Sequence, residues 1–195
     1  MFNLHCTKKL LDRIKSDVEG AVDGTTILGD WYATALFWKP QLALFVNERT
    51  LLPVVMPLAP ATTLAQRFPD ALAQVMLALD IDPVKVKFEL EKMGRATYCK
   101  TANRSVVGIM TQFTFQAESY RDHFGLVEPL ALSVKLAGTP CSPLYKGAIC
   151  PDLALSQQPG RLLVDRLVSH GFGLVGAAVG VGAGHALGDV EGEGL

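Results

Sequence analysis

Cysteine is scarce in this 195-residue chain: Cys6, Cys99, Cys141 and Cys150 are the four present, and none stands in a C-x-x-C pair. So few thiols exclude a disulfide scaffold, and with no histidine spaced to complete a ligand set they give no zinc module. A reducing cytoplasm is therefore the expected setting, with no metal and no cofactor. An excess of one charge is missing too. The 18 Lys+Arg and 19 Asp+Glu leave a net charge of −1, which removes any whole-chain pull toward nucleic acid or an anionic membrane. Three motifs with known chemistry are also lacking: G-x-x-x-x-G-K-[ST], G-x-G-x-x-G and the G-x-S-x-G elbow. The opening run Met-Phe-Asn-Leu-His-Cys-Thr-Lys-Lys holds no apolar segment of the signal-peptide kind, so secretion is not expected.

What is present is apolar surface. A hydrophobic content of 49% is enough to bury a core against the entropy of ordering the chain, and it excludes a disordered protein. Glycine is spread unevenly, with ten of 18 copies at or after Gly160. Residues 171–188, GFGLVGAAVGVGAGHALG, carry no formal charge and a single His185. That run nears the length of a membrane span, but its glycines dilute the hydrophobicity and acidic Asp189, Glu191 and Glu193 follow, so a membrane role is not expected. Self-association through it, and hence an oligomer, stays open. The expected organisation is a single α+β domain over 1–158, then a short helix and a glycine-rich tail over 159–195.

Within the body the hydrophobic period alternates between two and 3.6. Strands are expected near 2–5, over a meander at 31–56, near 96–101 and near 130–137, where Leu130, Leu132, Val134 and Leu136 alternate. Three or four helices should cover the sheet. Thr7 is a candidate N-cap for 8–16, and 64–79 carries a helical stripe with Pro69 either kinking it or marking its start. Asp82-Pro83 opens 83–93, although VKVKFEL also alternates as a strand would. A helix of about five turns should follow Ser105. Prolines 140, 143 and 151 predict an irregular cover over 141–155.

Two constellations carry possible chemistry. The first is KTANRSVVG, which joins a strand end to the long helix. Unpaired N–H groups at a helix start favour an anion, and Lys100, Asn103, Arg104 and Ser105 would add side-chain donors. The same residues serve equally as an ordinary cap. The second is Asp30 at one strand start with Asn47, Glu48 and Arg49 after its hairpin partner. Antiparallel pairing puts those two points at one end of the sheet, as a recognition site or as a turn network. Asp30 is the candidate base, and Asn47 and Arg49 are candidate ligand donors. His5 and Cys6 are neighbours in a strand, point to opposite faces and so make no dyad by adjacency.

The segments CTKKLLD (6–12), LGDWYA (28–33), LFVNERTLLPVV (44–55) and KTANRSVVGIM (100–110) together resemble an uncharacterised bacterial domain family of unknown function. The likeness covers about residues 1–125. The family pattern has a second asparagine where this chain has Ala102, and an Asn-Asp pair where it has Thr111-Gln112. The resemblance implies a compact α+β domain and supplies no activity. The functional expectation is a cytoplasmic bacterial binding or interaction module without catalysis, taking an unidentified protein or a small anionic ligand. The alternative is an enzyme or sensor that grips a phosphate-bearing molecule or nucleotide at 100–105.

Overall fold

The computed structural model describes residues 1–144 and 146–157; the tail expected over 159–195 lies outside the described residues. Its strands are β1 (Phe2–Cys6), β2 (Trp31–Leu36), β3 (Leu42–Asn47), β4 (Pro53–Pro57) and β5 (Ala96–Lys100). They form one five-stranded sheet in the order β4-β3-β2-β1-β5. The expected meander is present, with β2–β3 and β3–β4 antiparallel. β1 runs parallel to β2 on one side and to β5 on the other, so the sheet is mixed. The helices are α1 (Lys8–Ile14), α2 (Leu64–Ala78), α3 (Pro83–Lys92), α4 (Arg104–Phe124) and α5 (Pro129–Ala137). The fold is α+β.

The helices divide between the two faces of the sheet. Phe2, Leu4, Cys6, Trp31, Ala33 and Phe45 share a core with Leu10 of α1, Phe68 and Leu72 of α2 and Val86 of α3. Phe68 is its centre, with ring centroids 4.3 Å from Phe45, 4.9 Å from Trp31 and 5.8 Å from Phe2. On the other face Tyr32, Leu44, Val46 and Val55 meet Val106, Met110, Phe113 and Ala117 of α4. With both faces covered, β2 and β3 are buried throughout and lose the apolar–polar alternation of a half-wet strand.

End chemistry sets the helix limits. Asp82 accepts Val84 N–H with Pro83 in the first turn, which decides VKVKFEL in favour of helix. Asn103 caps α4, and Gly125 ends it at φ 64°, a left-handed position that suits glycine. Pro69 lies inside α2, which starts earlier, at Leu64. Thr7 holds the N-cap position of α1 without a cap bond; its hydroxyl pairs with Thr34 Oγ1 at 3.0 Å.

The strand expected near 130–137 is a helix, α5. The Glu128 carboxylate accepts Leu130 and Ala131 N–H and Pro129 stands in the first turn, a helix-start signal that outweighs the alternation. Burial of Leu132, Ser133, Leu136 and Ala137 follows one helical face. α5 lies along the outer edge of β4. There the buried Val55 N–H donates to Ser133 Oγ at 2.7 Å, so a side chain satisfies a strand edge that would otherwise be open. Of residues 141–155, expected to be irregular, Ser142–Leu144 form a 3₁₀ turn, but 151–157 are helical: Pro151 stands in the first turn, where its missing N–H costs nothing, and Leu155 enters the core.

Ser133→Ala strands the Val55 N–H in an apolar seam. A loss of about 1–3 kcal/mol is expected, read from urea unfolding.

Candidate functional site

α4 covers only the β2–β3–β4 part of its face. Over the rest, the strands present Asn3, His5 and Thr97, all buried polar residues. The cover is the connection between α1 and β2. Glu19 N–H donates to Tyr98 O at 2.8 Å along the outer edge of β5. Val22 then forms a two-way pair with the Asn3 amide: Asn3 Nδ2 donates to Val22 O at 2.7 Å, and Val22 N–H donates to Asn3 Oδ1 at 3.0 Å. Farther along, Ile27 and Leu28 N–H donate to the buried Glu89 carboxylate of α3, the Ile27 bond at 2.8 Å. The connection is thus tied to both faces before it delivers Gly29 and Asp30 to β2.

Between this connection and the β3–β4 turn lies a cavity of about 400 Å³, lined by polar groups that include Asn3, Asp23, Thr26, Asp30, Glu48 and Arg49. Asp30 is held at both oxygens. Oδ1 accepts from Asn3 Nδ2 at 3.0 Å, and Oδ2 lies 3.3 Å from His5 Nε2. The other ring nitrogen of His5 lies 3.0 Å from Lys100 O, a group that can only accept. A proton on each ring nitrogen satisfies both contacts. His5 also stacks on Tyr32, centroids 4.7 Å apart.

Asn47 lies fully buried beneath the cavity. Its Nδ2 donates to Leu28 O and Asp30 O at 3.0 and 3.2 Å. Its Oδ1 accepts from Arg49 N, Thr50 N and Thr50 Oγ1 at 3.1, 2.9 and 3.0 Å. The Arg49 guanidinium lies over Gly29 and donates to Ile27 O at 3.1 Å. Gly29 has φ 77°, and a Cβ there would come 3.1 Å from Arg49 Nε, so both the backbone and the space call for glycine.

The hairpin geometry brings Asp30, Asn47 and Arg49 together: Asp30 and Arg49 line the cavity and Asn47 braces it. The 100–105 set lies outside the cavity lining. The Asn103 side chain accepts from Ser105 N and Val106 N, so two first-turn donors go to its own cap. Asn103 N–H donates to Tyr32 Oη at 3.1 Å and Nδ2 to Glu48 Oε1 at 3.0 Å, while Tyr32 Oη donates to Glu48 at 3.4 Å. This triangle fastens α4 to the β3–β4 turn. Lys100, Arg104 and Ser105 are exposed; Lys100 contributes its carbonyl, to His5.

The cavity and the turn at the start of α4 fall inside one family match. The chain belongs to Domain of unknown function (DUF6933). The DUF6933 match runs over residues 3–154 and so takes in every residue of the cavity. No curated protein and no solved structure matches the chain.

The sequence assigns no role to Asn3 or Glu89, and none to His5 beyond its place beside Cys6. The usable signal is the alternation Phe2-Asn3-Leu4-His5-Cys6, which puts two polar side chains on the face opposite three apolar ones. Nothing local marks Glu89, whose partners are 61 and 62 residues away.

The three buried thiols are poor nucleophiles here. Burial pushes Cys6 up from an ordinary 9.0 to about 12 and Cys141 to about 11. Cys99 is also raised, first by burial and then by the charges of Asp30 and Glu19. Burial raises the Tyr32 phenol as well, with the Asn103 N–H opposing and the Glu48 charge adding, so it stays protonated and donates to Glu48. Among the described residues no group of three His, Cys, Asp or Glu is placed to hold a metal ion.

Two outcomes follow. Asn47→Ala leaves buried carbonyl and N–H groups unpaired, and a loss of about 2–3 kcal/mol is expected in urea unfolding. Unfolded, Cys6 ionises near 9.0; folded, it keeps its proton to about 12. The folded state therefore binds more protons in that window, and stability, complete below it, falls as pH rises through it. Urea midpoints measured across the window should fall less steeply in Cys6→Ala.

Proposed function

We propose that this chain is a cytoplasmic, non-enzymatic binding module of a bacterial cell, and that its ligand is a small polar molecule held in the Asn3–Asp30–Glu48–Arg49 cavity. The carrying observation is the cavity itself. A volume of about 400 Å³ is of ligand size, and two of its carboxylates, Asp30 and Glu48, are fixed by bonds from behind. Recognition suits this arrangement better than turnover. Both nitrogens of His5 are engaged, by Asp30 and by Lys100 O, so neither is offered to a substrate as a proton carrier. Burial keeps the Cys6, Cys99 and Cys141 thiols in their unreactive form. The anion reading of 100–105 draws less support, since the Ser105 and Val106 N–H groups serve the cap. Among the described residues no helix is long and apolar enough to cross a membrane.

The test is a thermal-shift screen of the full chain against cationic, zwitterionic, neutral and phosphate-bearing metabolites. A ligand at about 100 times its Kd should stabilise the fold by about 2.7 kcal/mol. The shift should vanish in the double variant Asp30→Asn, Arg49→Gln, whose fold is checked by circular dichroism. The proposal fails if no class shifts the melt, or if the double variant responds as the parent does.

A further inference from the structure

The cavity is unequal in charge and in hydrogen-bonding character. Asp23, Asp30 and Glu48 line it against one cation, Arg49. Even with His5 carrying two ring protons, carboxylates outnumber cations. Among the described residues, none of the three carboxylates pairs with Arg49; the four ion pairs lie elsewhere or join His5 to Asp30. Opposite charges thus line one space and are kept apart by what holds each of them. Arg49 is pinned over Gly29 by its bond to Ile27 O. Asp30 is pinned from β1 by Asn3 and His5. Glu48 is pinned at Oε1 by Asn103 and Tyr32.

The remaining capacity can be counted. Each carboxylate oxygen has about two acceptor sites. Asp30 spends one on each oxygen, which leaves one on each, and Glu48 keeps Oε2. Arg49 has spent one of its five donors. A ligand with anionic groups alone meets three like charges. A ligand with cationic groups alone meets the guanidinium. One molecule carrying both, with the cation as the richer donor, satisfies each wall.

We propose that the cavity takes a small zwitterion of the basic amino-acid class, its protonated amine or guanidine on Asp30 and Glu48 and its carboxylate on Arg49. This rests on the binding role assigned to the cavity above and names the chemistry that fills it. The Arg49 guanidinium gives the planar two-pronged donor that a carboxylate needs, which a lysine there would not.

Isothermal titration of the full chain with L-arginine, L-lysine, L-ornithine, agmatine and inorganic phosphate tests it. At least one of the three amino acids should bind. Agmatine, which has the cationic groups of arginine and no carboxylate, should bind about tenfold or more weaker than arginine wherever arginine is the ligand. Arg49→Gln should weaken the amino acid and leave agmatine no weaker, since the cavity loses a like charge, whereas Asp30→Asn should weaken both. Circular dichroism of each variant checks the fold. The zwitterion is overturned if all three amino acids fail, if agmatine matches arginine, or if Arg49→Gln does not weaken the amino acid that binds. Phosphate binding that Arg49→Gln abolishes would overturn the ligand class and keep the cavity as the site. A broad screen without any ligand would remove both.

Discussion

The Asn47 side-chain amide is the junction on which this end of the molecule depends. It closes β3, takes three donors from the turn that starts β4, and gives its two protons to Leu28 O and Asp30 O. No other side chain of that size offers two donors and a doubly available acceptor in one plane. A carboxylate would face two carbonyls with no proton to give, and an aliphatic group would leave every partner unpaired in a dry place. The turn, the start of β2 and the arrival of the α1–β2 connection are therefore set together, and with them the positions of Asp30, Glu48 and Arg49.

The cavity exists because the sheet is incompletely covered by helix on one face. On the α1–α3 side, three helices and the Phe68 cluster seal the strands. On the α4 side the helix lies over the β2–β3–β4 part, and the remaining strip is polar. Burying Asn3, His5 and Thr97 in strands opposes folding unless each finds partners. Asn3 finds them by treating the passing chain as a neighbouring strand, exchanging two bonds with Val22. The long connection is thus held by hydrogen bonds more than by apolar area, which suits a wall that must stay polar on its inner side.

Much of this was legible in the sequence, for local reasons. The hairpin made Asp30 and Asn47 neighbours by geometry alone, and the register pairs Trp31 with Asn47. Asn103 announced itself as a cap. Its second role, fastening Glu48 through Nδ2, depends on a residue 55 positions away and has no local mark. At 130–137 the Glu128-Pro129 start outweighs the alternation. Leu130, Leu132, Val134 and Leu136 fit either period over so short a run, and in such cases end chemistry decides. Adjacency to Cys6 carries no meaning for His5 in a strand; its partners lie across the sheet, Tyr32 in register on β2 and Asp30 just before it.

The start of α4 shows how one set of residues serves two readings that differ only in where the donors point. Lys, Asn, Arg and Ser before an apolar stripe look like an anion cradle. Here the asparagine turns its oxygen inward to Ser105 and Val106 N–H and its nitrogen outward to Glu48, so the helix dipole meets a bound carboxylate of the same chain at one remove. Asn103 Oδ1 thus takes the first-turn donors that an external anion would have taken. Because Glu48 is held at Oε1 there and also lines the cavity, the helix start and the cavity share one carboxylate.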